Sequence, residues 1–256
     1  MRTLALTVVV LGSVCLLVAD NGPKHRVLSN SYGTSGGNVK DIAPISTGGV
    51  CCASGTLGGL VKKSGVLYIL SNDHVFGRPT SKTSNSAQLT DPISQPGLVD
   101  TSCRPARTVA NFSFAPTLGS GVDAAIAKLK LGTMNTSGSI MDVGIPAGTN
   151  TGAAVGMLVA KSGRTSGLTC GKVAAVSVSA TVQYTNKPAC TGVQGVTKFN
   201  VTFTNQVVVQ SSSGSFSKAG DSGSFILKTN TAQGTALLFA GSTTLTLGNR
   251  IGHSRR

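Results

Sequence analysis

The chain contains no tryptophan and no glutamate, and only 12% of its 256 residues are charged. Without glutamate, the His-Glu-x-x-His motif of zinc proteases is excluded, and no Cys-x-x-Cys pair faces another, so we expect no metal and no cofactor. Aromatic residues make up 4% of the chain and the basic residues are scattered singly. We therefore expect no nucleic-acid partner despite the net charge of +14.

Acidic polymers remain possible partners of so basic a chain. A module whose function is to bind such polymers is one alternative, and it would show binding that weakens with salt.

The N-terminus carries an apolar run from Leu4 to Ala19 behind Met1 and Arg2. This run is short for a membrane span and typical of a signal peptide, which we predict over residues 1–19, with an uncleaved anchor as the alternative. Residues 20–48 are polar, lack hydrophobic periodicity and are predicted to form an arm or short pro-segment. We expect a secreted, extracellular domain over residues 49–256, with no membrane role beyond secretion.

Glycine is frequent, and short apolar runs of strand length alternate with Gly, Pro, Ser or Asn clusters. This pattern predicts an all-β domain, either a sandwich or a barrel. The predicted strand runs are Val66–Leu70, Val122–Leu129, Val155–Val159, Val173–Val178, Phe199–Val209 and Ala236–Ala240.

The segment Lys218–Phe225 places Ser222 on a turn between Gly220 and Gly223. A serine held this way is a candidate nucleophile, and the amides of Gly220 and Ser222 are candidates for an oxyanion hole. Gly, Asp and Ser are also common in hairpin turns, so a plain turn is the alternative.

A serine nucleophile needs a base and an acid that orients it. Of the three histidines, His25 and His253 lie in terminal segments, whereas His74 follows an apolar strand-like run. Asp123 lies among small and apolar residues, where a carboxylate is unusual and is therefore the candidate acid. Taken singly, His74 could be a hydrogen-bonded core histidine and Asp123 a turn or capping residue.

The order His74, Asp123, Ser222 distinguishes between triad architectures. An α/β-hydrolase needs an acid after the nucleophile, and none follows Ser222. A subtilisin-like order needs an acid before His74, which is available, but long helical patterns are missing. The remaining order is that of chymotrypsin.

Four blocks in this order make the chain resemble secreted trypsin-like serine peptidases of the bacterial and fungal branch. The blocks are Ser54–Gly58 leading to the Ser-Asn-Asp-His run, Val122–Ala127, Lys161–Gly167 and Gly220–Gly223. The resemblance implies two antiparallel β-barrels, at about residues 49–145 and 146–252, with the active site in the cleft between them. It also implies a serine endopeptidase acting on protein or peptide substrates through His74, Asp123, Ser222 and an acyl-enzyme, and we expect a monomer.

The resemblance implies further roles for individual residues. Phe239, Ala240 and Gly241 would form the edge strand that pairs with substrate, and Phe216 would lie near the base of the primary specificity pocket. Because Phe216 is not acidic and no histidine occurs between Gly241 and Gly248, a small or apolar substrate side chain is expected. A barrel-scaffold binding protein without useful catalysis is the alternative function.

Two pairings are also implied by the resemblance. Asp221 needs a buried cation, for which Lys161 is the candidate, with Lys218 as the alternative and a solvated surface lysine as the plainer interpretation. Five cysteines remain after Cys15 is removed with the signal peptide, so two disulfides and one leftover thiol are expected. The implied bridges are Cys170 with Cys190, and Cys51 or Cys52 with Cys103.

Overall fold

The computed structural model describes residues 22–211 and 214–251, so the predicted signal peptide and His253 lie outside the described residues. Strands dominate these residues, as the alternation of short apolar runs and turn residues predicts. The helical elements are one turn of α-helix, α1 (Asp73–Phe76), and three 3-10 turns at Gly22–Arg26, Leu98–Thr101 and Leu118–Ser120.

Seven strands of the N-terminal half form one antiparallel sheet in the order β4-β1-β9-β10-β11-β6-β5. The two end strands of this order, β4 and β5, are separated in the chain by Gly58 alone, so the sheet curls towards closure. Apolar side chains such as Leu57, Ile69, Ile93 and Val109 are fully buried inside it. The strands are β1 (Thr34–Asn38), β4 (Gly55–Leu57), β5 (Gly59–Lys63), β6 (Val66–Ser71), β9 (Pro92–Gln95), β10 (Arg107–Phe114) and β11 (Ala125–Leu129).

Two small hairpins decorate this first sheet. They consist of β2 (Ile42–Pro44) with β3 (Val50–Cys52), and β7 (Pro79–Ser81) with β8 (Ser84–Asn85).

The C-terminal half forms a closed antiparallel barrel in the order β12-β13-β14-β17-β16-β15. Its core contains Val159, Val173, Val207, Phe216 and Ile226. The strands are β12 (Leu158–Gly163), β13 (Gly167–Thr185), β14 (Lys198–Gln210), β15 (Phe225–Lys228), β16 (Gly234–Gly241) and β17 (Thr246–Arg250). The prediction of an all-β fold with two antiparallel barrel-like halves is confirmed.

Strand bounds differ from the predicted runs where small residues interrupt the ladder. β11 begins at Ala125 rather than at Val122, and β12 begins at Leu158 rather than at Val155. Residues 122–124 have no regular secondary structure and Val155 lies in a turn, and Val122 and Val155 are both exposed. Hydrophobicity alone therefore marks the strand but not its first residue.

The prediction that residues 20–48 form an arm is wrong for much of this segment. All five residues of β1 are buried, and β1 pairs with both β4 and β9. Its sequence, Thr-Ser-Gly-Gly-Asn, has no apolar periodicity, so the pattern did not predict a strand. Ladder hydrogen bonds and the close packing of Gly36 against Leu57 hold the strand in place instead. His25 is also fully buried, with its Nε2 atom 3.0 Å from Asp142 Oδ2.

The β13–β14 hairpin extends far beyond the second barrel. In the part of this hairpin beyond the barrel, Ala180–Thr185 of β13 and Lys198–Phe203 of β14 pair only with one another, past irregular positions at Ser177 and Asn205, which have positive φ angles. We call residues 178–205 the strap. Its side chains Tyr184, Val201 and Phe203 pack against Leu118 of the first half and Phe239 of the second.

Two disulfides are described, Cys51–Cys190 and Cys52–Cys103. The second is one of the implied alternatives, but the implied Cys170–Cys190 bridge is wrong. Cys170 lies within the barrel opposite Ala160, whereas Cys190 lies near the end of the strap, next to β3. No described cysteine is free, and the expectation of one leftover thiol after removal of residues 1–19 stays a prediction.

No helix in the described ranges has the length and apolarity needed to cross a membrane.

Candidate active site

His74 and Asp123 meet at the junction of the two halves. His74 lies in α1, three residues after the last residue of β6. Asp123 lies two residues before the first residue of β11. His74 Nδ1 is 2.6 Å from Asp123 Oδ2, and the His74 backbone amide donates to Asp123 Oδ1 at 3.2 Å. Asp123 is fully buried and the His74 side chain is 24% exposed. Because β6 and β11 are paired neighbours, their ends bring the two residues together.

The electrostatic surroundings favour the protonated form of His74. Burial alone would lower its pKa, but the charge of Asp123 and the hydrogen bond to it outweigh burial, so the pKa of His74 is raised. Asp73 and Asp41 add to this effect. A neutral imidazole at this site is consequently a stronger base than a free histidine side chain.

Asp73, the residue before His74, is a second buried carboxyl. Burial, followed by the charge of Asp123, raises the pKa of Asp73 to about 8. Its Oδ1 atom accepts a hydrogen bond from Asn85 Nδ2 at 2.8 Å. Asp73 therefore takes up a proton more readily than an ordinary aspartate, and Asp123 is the carboxyl group that His74 Nδ1 contacts directly.

Two residues of the second half hold Asp123 in place, and sequence reasoning missed both. The Tyr184 hydroxyl donates to Asp123 Oδ2 at 2.9 Å. Asn249 Nδ2 donates to the Asp123 backbone carbonyl at 2.8 Å. A tyrosine in a long hairpin and an asparagine in a C-terminal strand carry no motif, so only the folded chain connects them with Asp123.

Ser222 lies on the turn before β15, as its sequence context predicts. Gly220 and Gly223 have φ angles of +96° and +94°, a region that strongly favours glycine. The Asp221 amide donates to the Lys218 carbonyl at 3.0 Å. Among the described residues, the amides of Gly220 and Ser222 have no hydrogen-bond acceptor, so both are available to a ligand oxygen.

Thr56 of β4 fixes this turn against the first half. Its amide donates to the Ser222 carbonyl at 2.8 Å, and its hydroxyl donates to the Gly220 carbonyl at 2.9 Å. Both carbonyls are thereby satisfied by one residue of the first half. Thr56 belongs to one of the four sequence blocks, but the sequence did not reveal this role.

Gly55 lies between the Ser222 turn and Val75, the residue after His74. A Cβ atom at Gly55 would lie 2.5 Å from Val75 Cγ2 and 2.8 Å from the Ser222 carbonyl oxygen. Within the described chain the Ser222 hydroxyl makes no hydrogen bond, and His74 Nδ1 bonds only to Asp123. Hydrogen bonds between a nucleophile and its base are often long or absent without substrate.

Asp221 is fully buried beneath the turn and pairs with Lys161, as the resemblance implied. Lys161 Nζ donates to Asp221 Oδ2 at 3.2 Å, and neither side chain is exposed. Ser166 donates to the same carboxylate through its hydroxyl and its amide, and Thr165 N donates at 2.8 Å. Burial alone would raise the pKa of Asp221. The Lys161 charge and these hydrogen bonds outweigh burial, so the pKa of Asp221 lies below its usual range. Lys218 contributes its backbone amide, at 2.9 Å, and its side chain is exposed.

A cavity of about 400 Å³ opens beside Ser222. Ala240 and Gly241 line it, as the resemblance implied for the substrate-binding strand. The other lining residues are Ser215, Ser217, Lys218, Ala219, Leu238, Ser242 and Thr243.

The expectation that Phe216 forms the base of this cavity is wrong. The Phe216 side chain is 2% exposed and packs into the core of the second barrel. Ser215 and Ser217, on either side of it in the chain, line the cavity instead. Phe239 likewise is 2% exposed, and it lies under the strap beside a second cavity of about 360 Å³ that His74 also lines.

A scan against protein-family models and a search of curated proteins found no match. Solved structures do match. A structure described as a glutamic acid-specific serine protease with a histidine triad in substrate binding aligns with 86% of this chain and 92% of its own, at 16% identity and a TM-score of 0.52.

The chain has the chymotrypsin fold. Two further chymotrypsin-fold structures align with it at lower TM-scores. Cellulomonas bogoriensis chymotrypsin covers 76% of this chain and 82% of its own length, at 18% identity and a TM-score of 0.48. Thermobifida fusca protease A covers 84% and 90%, at 19% identity and a TM-score of 0.47. At 16% identity, the similarity to the first of these structures establishes the fold and not the reaction.

Proposed function

We propose that this chymotrypsin-fold protein is a serine endopeptidase with His74, Asp123 and Ser222 as its catalytic triad. The observation that carries the proposal is the buried Asp123 carboxylate, 2.6 Å from His74 Nδ1, next to a glycine-flanked serine turn with two unbonded amides. Burying a carboxyl group beside a partly exposed imidazole costs folding free energy, and such pairs are concentrated at functional sites.

In the proposed reaction, Ser222 Oγ attacks a peptide carbonyl carbon while His74 Nε2 takes its proton. Asp123 accepts the Nδ1 hydrogen and stabilises the imidazolium. The amides of Gly220 and Ser222 hold the oxyanion, where losing one donor typically costs about 10²–10³ in rate. His74 then gives the proton to the leaving amine, and water hydrolyses the acyl-enzyme by the same steps.

The cavity beside Ser222 would accept the substrate side chain before the cleaved bond. Its described lining carries small residues, hydroxyl groups, Leu238 and Lys218, whose side chain is exposed to solvent, and it includes no acidic side chain and no histidine. We therefore propose a preference for small, uncharged side chains. The glutamic acid specificity of the similar structure is not supported here, because a histidine triad has no counterpart in this lining.

Secretion is part of the proposal. The two described disulfides suit an oxidising compartment, and residues 1–19 have the pattern of a signal peptide.

The test is labelling of the folded protein with a fluorophosphonate probe, which reacts with activated serines. We expect labelling of the parent and its loss in Ser222→Ala and His74→Ala. Ser84→Ala, which changes an exposed serine in β8, is the matched control and should label like the parent.

A folded parent that takes up no label would refute the peptidase proposal and favour the alternative of a barrel-scaffold binding protein. If labelling occurs, a peptide library with varied side chains before the cleaved bond tests the specificity, and cleavage mainly after charged residues would contradict it.

A further inference from the structure

The strap crosses from the second barrel to the first beside His74. Cys190 of the strap is bonded to Cys51 of β3. The Ser46 amide donates to the Gly192 carbonyl at 2.9 Å, and Ile45 forms an isolated bridge with Val193. The strap is therefore fixed at both ends, by the barrel ladder at one end and by the β2–β3 hairpin at the other.

Tyr184 is the residue that the strap places against the His74–Asp123 pair. Its hydroxyl donates to Asp123 Oδ2, the same oxygen that lies 2.6 Å from His74 Nδ1. Its ring centroid is 5.8 Å from that of His74. On its other sides the ring packs against Phe199 and Phe203, also of the strap. The ring is thus held by its own hairpin, and the hydroxyl is aimed at the first half.

We infer that Tyr184 is a positioning residue for the His74–Asp123 pair, and that the Cys51–Cys190 disulfide keeps it in place. This inference rests on the proposed function. With two donors on one carboxylate oxygen, Asp123 cannot rotate without breaking a buried hydrogen bond, so the imidazole keeps one tautomer and one orientation.

Other charged groups around His74 do not replace Tyr184. The titratable and charged groups that face His74 or line the cavity beside it are Asp123, Asp73, Asp41, Arg78, Tyr184 and Lys187. Of these, Tyr184 alone donates a side-chain hydrogen bond to Asp123 besides His74 itself.

Tyr184→Phe removes the hydroxyl and keeps the ring. We expect kcat to fall about tenfold, the loss expected for one hydrogen bond to a charged group, with KM nearly unchanged. With one donor fewer, Asp123 Oδ2 interacts more strongly with the imidazolium, so the acid limb of the pH–rate profile should move to higher pH. Tyr68→Phe in β6 is the matched control and should leave both readouts unchanged.

Nuclear magnetic resonance titration of the His74 ring reads the same contact without any turnover. A shifted His74 titration in Tyr184→Phe supports the inference even if the parent takes up no fluorophosphonate label, an outcome that would refute only the proposed function. An unchanged titration and an unchanged pH–rate profile in folded Tyr184→Phe would overturn the inference.

The role of the strap is tested by double substitution. Cys51→Ala with Cys190→Ala should lower kcat and make the further effect of Tyr184→Phe smaller, because the hydroxyl is no longer held. Cys52→Ala with Cys103→Ala, which leaves the strap attached, should preserve the full effect of Tyr184→Phe. Equal effects of Tyr184→Phe in the two backgrounds would overturn the part assigned to the disulfide.

Discussion

At the scale of single residues, Asp123 is the point where the two halves of the molecule meet in the site. Its side chain accepts from His74 Nδ1, the His74 amide and the Tyr184 hydroxyl, and its backbone accepts from Asn72 and Asn249. Donors from both halves of the molecule therefore converge on one residue. These contacts satisfy both oxygens of a side chain that has no access to solvent.

The raised pKa of His74 gives the direction of the pH dependence. The base must be neutral to act, and its pKa lies above the ordinary value of about 6.5. The proposed kcat/KM therefore falls as pH decreases through a midpoint above about 6.5. A profile of kcat/KM against pH checks this, and a midpoint well below that value would contradict the assigned cause.

Asp123→Asn should remove the two largest influences that raise the pKa of His74. We expect the acid midpoint to move to lower pH and kcat to drop by about 10⁴, because the amide favours the wrong imidazole tautomer. Asp142→Asn is the control, since Asp142 pairs with Lys24 and His25 outside the site. A loss of less than tenfold in Asp123→Asn would argue against the triad.

At the scale of elements, the β12–β13 hairpin supports the nucleophile turn. Lys161 of β12 and the Thr165–Ser166 turn supply most of the donors to Asp221, the residue before Ser222. This network occupies a fully buried space, where an unpaired charge would be expensive. The hairpin thereby fixes the position of the amides proposed for the oxyanion hole.

Lys161→Met should destabilise the protein by about 3–5 kcal/mol, because it leaves the buried Asp221 charge unpaired. Adding Asp221→Asn should recover part of this loss. Urea unfolding at pH 7 measures both, with Lys218→Met as the exposed control. A double variant no more stable than Lys161→Met would mean that the two side chains do not interact as described.

The pH dependence of stability provides a second readout of this pair. The pKa of Asp221 is lowered in the folded protein, so the pair stabilises the fold above the unfolded value of about 3.9 and loses its contribution as pH falls through the folded value. The stability difference between parent and double variant should therefore shrink in acid.

At the scale of the whole molecule, the two halves are joined by more than the linking chain. The described disulfides differ in this respect: Cys52–Cys103 stays within the first half, at a sequence separation of 51, whereas Cys51–Cys190 joins the two halves, at a separation of 139. Thr56 and Asn249 add hydrogen bonds across the same junction.

Removing either bridge by paired Cys→Ala substitution should cost about 2–4 kcal/mol, with the larger loss for Cys51–Cys190 because it closes the longer loop. Thermal unfolding of the two variants measures the difference. We expect loss of Cys51–Cys190 also to expose the strap to limited proteolysis. A strap as protected as in the parent would show that its packing alone holds it.

Several features of this protein could be predicted from the sequence because they depend on local chemistry. The glycine-flanked Ser222 turn requires positive φ angles that favour glycine, and short apolar runs require strands. The chain order of His74, Asp123 and Ser222 narrowed the architecture, and His74 and Asp123 indeed meet. The pairing of Lys161 with Asp221 followed from the resemblance.

The tertiary structure decided what depends on contacts between distant segments. Tyr184, Asn249 and Thr56 act on the site across the junction, and no local pattern distinguishes such residues from any other Tyr, Asn or Thr. The partner of Cys190 depends on where the strap ends, and the direction of Phe216 depends on the register of the barrel. Sequence therefore determined which groups are chemically competent, and folding determined which of them meet, because proximity between remote residues is a property of the whole packed chain.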